Sequence, residues 1–124
     1  MTLKLEELDV YRVSMEIGDL IYEIVSSWNQ FDKETLGKQL LRAVDSIALN
    51  ISEGYGRFFY KENRNFCYYS RGSAKETFTA VEKAYRRKLI NVGQYQMLNE
   101  KLTLYFRLSF YYIKSIGTSK DPKD

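Results

Sequence analysis

A chain of 124 residues, 44% of them apolar, has the size and composition of one globular domain with a single core rather than of a disordered segment. Its net charge of +3 is unevenly spread: residues 1–36 hold three basic and eight acidic side chains, residues 37–116 fourteen basic and six acidic. There is no histidine, no apolar run long enough for a membrane span, and only one cysteine, Cys67, which excludes His-based catalysis and an intrachain disulfide.

The opening MTLKLEELDV lacks a basic region followed by an apolar one, so no secretory signal is expected. With a single cysteine, a cytoplasmic location is expected. A first helix is expected over about 7–28. Val10, Val13, Ile17, Leu20, Ile21, Ile24, Val25 and Trp28 fill its apolar face, beside a polar stripe of Asp9, Arg12, Glu16, Asp19, Glu23 and Ser26. Gly18 weakens this helix by up to about 1 kcal/mol relative to alanine and marks a candidate close approach. Residues 29–34 read as a turn, with Asp32 as N-cap.

A second helix is expected over about 33–55. It contains the stretch around which the chain is organised, RAVDSIALNISEGYGR from Arg42 to Arg57. Val44, Ile47, Ala48 and Ile51 form its apolar side, and Arg42, Ser46, Asn50, Glu53 and Arg57 stack on an adjacent polar stripe. Gly54 and Gly56 are expected to close it in the left-handed conformation. The polar stripe has two readings: a network that fixes the register of facing helices, or a site for an anionic ligand or nucleic acid. The connection from Gly54 to Tyr60 holds four aromatics and an arginine, which either cap the core or stack on bases.

A third helix is expected over about 61–88. Its seam of Ser70, Ser73, Ala74, Thr77, Val81 and Ala84 is built of small or β-branched residues that let helices approach closely. Across that seam Arg42 or Asn50 is expected to meet Glu76, and Glu53 to meet Arg71. The structural network is thus expected to comprise Arg42, Ser46, Asn50, Glu53, Arg71, Ser73 and Glu76. Lys83, Arg86, Arg87 and Lys88 either complement the helix dipole or, with Arg57, Lys61 and Arg64, form a phosphate-contacting surface. A fourth helix is expected over about 94–116. Leu98, Leu102, Tyr105, Ser109, Tyr112 and Ile116 form its core stripe. Met97, Leu104, Leu108 and Tyr111 form a second apolar stripe, an expected self-association surface. Residues 117–124 are expected to be a disordered tail. Four helices with short connections imply an all-α, antiparallel up-and-down four-helix bundle over residues 1–116.

The pattern Leu40, Arg42, Ala43, Ser46, Ile47, Asn50, Ile51, Glu53, Gly54, Tyr55, Gly56, Arg57, followed by Phe66, Arg71, Gly72, Ser73 and Glu76, carries a resemblance. It is similar to the signature of a bacterial four-helix-bundle family known as S23 ribosomal protein or 23S rRNA intervening-sequence protein. The resemblance runs roughly from Leu8 to Ile116. Asp45 departs from a usual small apolar residue and Ala48 from a common proline. The family is related to the accessory variability protein of diversity-generating retroelements, a pentameric barrel that binds a reverse transcriptase and nucleic acid. The resemblance therefore implies a pentameric ring with a basic surface.

No Glu-x-x-His pair, Walker motif or dinucleotide glycine motif occurs, and Cys67 has no histidine to activate it. No metal or other cofactor is expected. The expected function is a non-catalytic homo-oligomeric scaffold or adaptor, engaging RNA or a nucleoprotein partner. The alternatives are a protein-binding module without a nucleic-acid role, and an enzyme using Arg42, Asn50, Glu53 and Glu76.

Overall fold

The computed structural model describes residues 4–117. Apart from Gly117, the tail expected to be disordered lies outside the described residues. The chain is an all-α antiparallel four-helix bundle: α1 (Asp9–Ser26), α2 (Lys38–Tyr55), α3 (Tyr60–Arg86) and α4 (Val92–Ser115). A 3-10 turn, Leu5–Glu7, precedes α1. A short turn, Gln30–Asp32, and a π-helical turn, Lys33–Gly37, lead into α2.

Each helix buries the stripe that its spacing dictates. In α1 the buried residues are Val10, Ser14, Ile17, Ile21 and Val25. In α2 they are Leu40, Ala43, Val44, Ile47, Ala48, Ile51 and Gly54. In α4 they are Leu98, Leu102, Tyr105 and Ser109. Full burial of each large side chain stabilises by about 1.5–3 kcal/mol, which makes this shared core the main source of stability. Each of α1 and α3 packs on both α2 and α4. Asn63 near the start of α3 bonds Tyr112 near the end of α4, and Tyr95 near the start of α4 bonds Glu82 near the end of α3. Neighbours therefore run antiparallel in up-down-up-down order.

The helix ends depart from expectation in two places. Asn29, not Asp32, supplies the cap before α2: its Oδ1 accepts from the Asp32 backbone N–H at 2.9 Å. No glycine among the described residues has positive φ, so α2 does not close in the left-handed conformation, and Gly56 sits at φ −79°. The left-handed position falls on Lys88, at φ 61°. There the Leu89 N–H reaches the Ala84 carbonyl at 2.9 Å and the Lys88 N–H reaches Tyr85 at 3.0 Å, a Schellman closure of α3. A lysine there carries a Cβ penalty that glycine avoids. Lys88→Gly is accordingly expected to raise stability by about 1 kcal/mol in chemical denaturation, with no change in the slope of the transition.

Candidate functional site

Three of the buried polar residues, Asn63, Ser70 and Thr77, lie on α3, with Ser14 on α1 and Ser109 on α4. The small residues expected at the α2–α3 seam let the two backbones approach, and Ser70, Ala74, Thr77, Val81 and Ala84 are buried. Ser70 Oγ donates to the Ile47 carbonyl at 2.8 Å and lies 2.5 Å from the Tyr105 hydroxyl. A serine hydroxyl carries one proton, so Tyr105 donates to Ser70 while Ser70 donates to Ile47. This relay ties α2, α3 and α4 together at mid-bundle. Burial raises the Tyr105 phenol above the ordinary tyrosine range, and Tyr112 is raised for the same reason. Ser46 and Ser73 bond each other across the same seam, and Thr77 Oγ1 donates to the Ser73 carbonyl at 2.8 Å.

Of the polar network expected from the sequence, only the Ser46–Ser73 pair bridges the two helices in this way. Asn50 is half-buried and turns back to donate to the Ser46 carbonyl at 2.8 Å, not to Glu76. Glu53 pairs with Arg57 at 2.8 Å, one helical turn along, not with Arg71. Arg42, Arg71 and Glu76 are exposed. The reason is rotational. Arg42, Glu53, Arg71 and Glu76 lie just outside the contact stripes of α2 and α3, where long charged side chains remain hydrated. An exposed Glu76 carries no buried-charge penalty, so the large loss on truncation that a buried partner would imply is not expected.

The expected basic surface is also divided. Arg57, Lys61 and Arg64 lie at the start of α3, and Lys83 to Lys88 at its end, about 35 Å apart at 1.5 Å per residue. Arg57 is engaged by Glu53 and Glu62 and lies 4.8 Å over the Phe66 ring. Arg64 donates to the Gly117 carbonyl, and Arg86 pairs with Glu82. Lys61, Lys83, Arg87 and Lys88 are exposed. Phe58 and Phe59 stack edge to face, but both are exposed rather than capping the core.

The second apolar stripe of α4 faces the α1 seam, where Lys101 on the same stripe pairs with Glu16. Met97, Leu104 and Leu108 are half-buried, with Leu108 packed against the core. Only Tyr111 of that expected interface is largely exposed, at 63%. Gln96, Glu100, Thr103 and Arg107 make much of the outer face of α4 polar, so the helix is not apolar all round.

Two surface features were not singled out from the sequence. One is a groove of about 430 Å³ between α1 and α2, walled by Tyr11, Met15, Tyr22, Ala48 and Leu49, with Asp19 and Asp45 also lining it. Desolvation against its wall, and secondarily the Asp19 carboxylate, raises Asp45 above the usual carboxylate range. Gly18 lines this groove and is not a tight contact: an added Cβ would meet only Asp45 Oδ1, at 3.5 Å. Arg42, Asn50, Glu53 and Glu76 do not line it, so the constellation weighed for catalysis does not converge there.

The other feature runs along the outer face of α3 and α4. Lys75 Nζ lies 4.6 Å from the centre of the Phe106 ring, Lys114 Nζ 5.1 Å from Phe110, and Arg71 Cζ 6.0 Å from Tyr68. Helical spacing explains the alignment. Tyr68, Arg71 and Lys75 recur at three and four on one side of α3, and Phe106, Phe110 and Lys114 recur at four on α4. The sequence signal was present in each helix, but only the packing of α3 on α4 joins the two halves.

The fold and these surfaces define a four-helix-bundle protein with hydrogen-bonded polar groups in its interior and outer faces rich in aromatic and cationic side chains. The 23S rRNA-intervening sequence protein family matches residues 6–108, and the chain belongs to that family. A crystal structure of an S23 ribosomal protein family member of unknown function, from Bacteroides thetaiotaomicron VPI-5482, is similar. It is 27% identical, with a TM-score of 0.79, over 86% of this chain and 96% of that one. No curated protein matches the chain significantly.

Proposed function

We propose that this protein is a non-catalytic, self-associating helical scaffold that engages RNA or a nucleoprotein partner. The observation that carries this reading is the distribution of its apolar surface. Among the described residues Tyr22, Phe31, Leu49, Phe58 and Tyr111 are each more than 60% exposed, on different helices and connections. Singly scattered apolar side chains are ordinary, but Tyr22 and Leu49 share one groove with the exposed Met15, and a contiguous exposed apolar patch of that kind is a feature of interaction surfaces. The acidic first quarter and basic remainder favour contact between unlike surfaces, which closes into a ring when the rotation permits. Five copies are expected from the resemblance to ring-forming relatives. The family description, which names an insertion in ribosomal RNA, is compatible with an RNA partner.

Light scattering at micromolar concentration tests the assembly. The expected mass is five times the 14.7 kDa of one chain. Tyr111→Glu, which alters an exposed side chain rather than the core, is expected to give a smaller species. A wild-type mass of one chain defeats self-association, and a dimer defeats the ring.

A further inference from the structure

We infer that the aromatic and cationic stripe shared by α3 and α4 is a track for single-stranded RNA. This rests on the RNA-engaging part of the function proposed above and assigns it a place. Three observations carry it. First, Arg71, Lys75 and Lys114 each lie over a ring, and among the described residues none has a carboxylate within ion-pair distance. Among the described residues these charges are therefore not neutralised by an ion pair, unlike those of Arg57 and Arg86. Second, two of the three rings are accessible, Tyr68 at 49% and Phe110 at 52% exposed, while Phe106 is half-buried. Third, the stripe is extended. From Tyr68 to Lys75, and from Phe106 to Lys114, it runs about 10–12 Å along two antiparallel helices. That length holds about three nucleotides stacked at 3.4 Å.

The chemistry fits a single strand better than a duplex. A duplex hides its base faces in its own stack, whereas a single strand offers them to exposed rings. A cation over a surface ring is held weakly and sits on a flexible stem, so it can move to a phosphate while the ring takes a base. Binding would exchange three cation–ring contacts for phosphate contacts and stacking, and release counterions. The exposed phenol of Tyr68 adds a hydrogen-bonding group within reach of a ribose 2′-hydroxyl.

The test is fluorescence anisotropy of the full chain with a labelled 12-nucleotide oligouridine, over a range of salt. Wild type is expected to bind with an affinity that falls as salt rises. Lys75→Gln/Lys114→Gln is expected to weaken binding at least tenfold and to flatten the salt dependence. Phe110→Ala is expected to weaken it about tenfold, in line with the loss of one stacked base. Circular dichroism establishes that each variant is folded. Should Lys83→Gln/Arg87→Gln abolish binding while the stripe variants bind as wild type, the track is overturned but RNA binding stands. Wild type that binds no oligouridine even at low salt overturns both. A deoxyuridine 12-mer bound equally well overturns the assignment to RNA. A fall in oligomer mass on Phe110→Ala overturns the track in favour of a contact with a second copy.

Discussion

Replacing Tyr105 by alanine is expected to destabilise the bundle by about 3–5 kcal/mol, lowering the melting temperature by roughly 10–20 °C. Tyr105 is fully buried, packs in the core and anchors the relay through Ser70 to Ile47. Alanine removes the ring, leaves a cavity and takes away the hydroxyl that donates to Ser70. Tyr105→Phe keeps the packing and loses the hydrogen bonds of the hydroxyl with Ser70 and Ser109, so its expected cost is nearer 1–2 kcal/mol, about 1 per bond. Ser70→Ala removes one partner of the buried tyrosine hydroxyl and leaves it Ser109, at a cost of about 1 kcal/mol. Thermal melts of the three variants order these effects. A Tyr105→Ala variant that melts like wild type would remove Tyr105 from the core.

The same residue has a pH signature. Burial raises the native Tyr105 and Tyr112 phenols above the unfolded value, near 10. Above about pH 10 the unfolded chain loses protons that the native chain still holds, so stability falls as pH rises. The slope is up to about 1.4 kcal/mol per pH unit for each such tyrosine. Below pH 10 these groups are protonated in both states and contribute no slope. Tyr95 is raised as well, by its hydrogen bond to Glu82, so Tyr105→Phe removes one of three contributions, and its stability should decline less steeply in denaturant titrations between pH 9 and 11.

Gly54→Ala is expected to be the other costly substitution, although alanine is the better helix former by about 1 kcal/mol. A Cβ at this position would lie 2.8 Å from Asn63 Oδ1, 2.9 Å from the Asn63 carbonyl oxygen and 2.9 Å from Phe66 Cβ. The backbone carbonyl cannot swing away, so α2 and α3 have to separate, at a net cost of about 1–3 kcal/mol. Gly72 provides the contrast. It is exposed in the middle of α3, and an added Cβ meets nothing within 4 Å. Gly72→Ala is expected to raise stability by up to about 1 kcal/mol. Parallel urea titrations compare them: if both substitutions shift the midpoint in the same direction, the close approach at Gly54 is not the cause.

The glycine pair shows where reading the sequence stops. Gly54 and Gly72 both lie within helices, and the Gly-Tyr-Gly run that marked Gly54 as a helix end says nothing of the space around it. What distinguishes them is Asn63 and Phe66 on a facing helix. The all-α class, the four helices and the core stripes were legible because helical periodicity is a local property of side-chain spacing. Ile17, Ile21, Val44, Ile47, Leu98 and Leu102 are buried for that reason. The small-residue seam of α3 was legible too, and so was the membership of Ser46 and Ser73 in one network, but their direct pairing came from the packing. The partners of charged residues were not. Periodicity places Glu53, Arg71 and Glu76 near a seam, but a difference of one position around a helix is 100°, enough to carry a side chain from the interface into water. The basic residues were legible as a composition, yet their distribution was set by the length of α3, which holds the two clusters at opposite ends. The pairing of Lys75 with Phe106, and of the Tyr105 hydroxyl with Ser70, joins residues more than 30 positions apart. The sequence by itself determined which faces turn inward, because apolar burial follows spacing. Only the tertiary structure decided which outward residues meet, because that depends on how each helix is rotated against its neighbours.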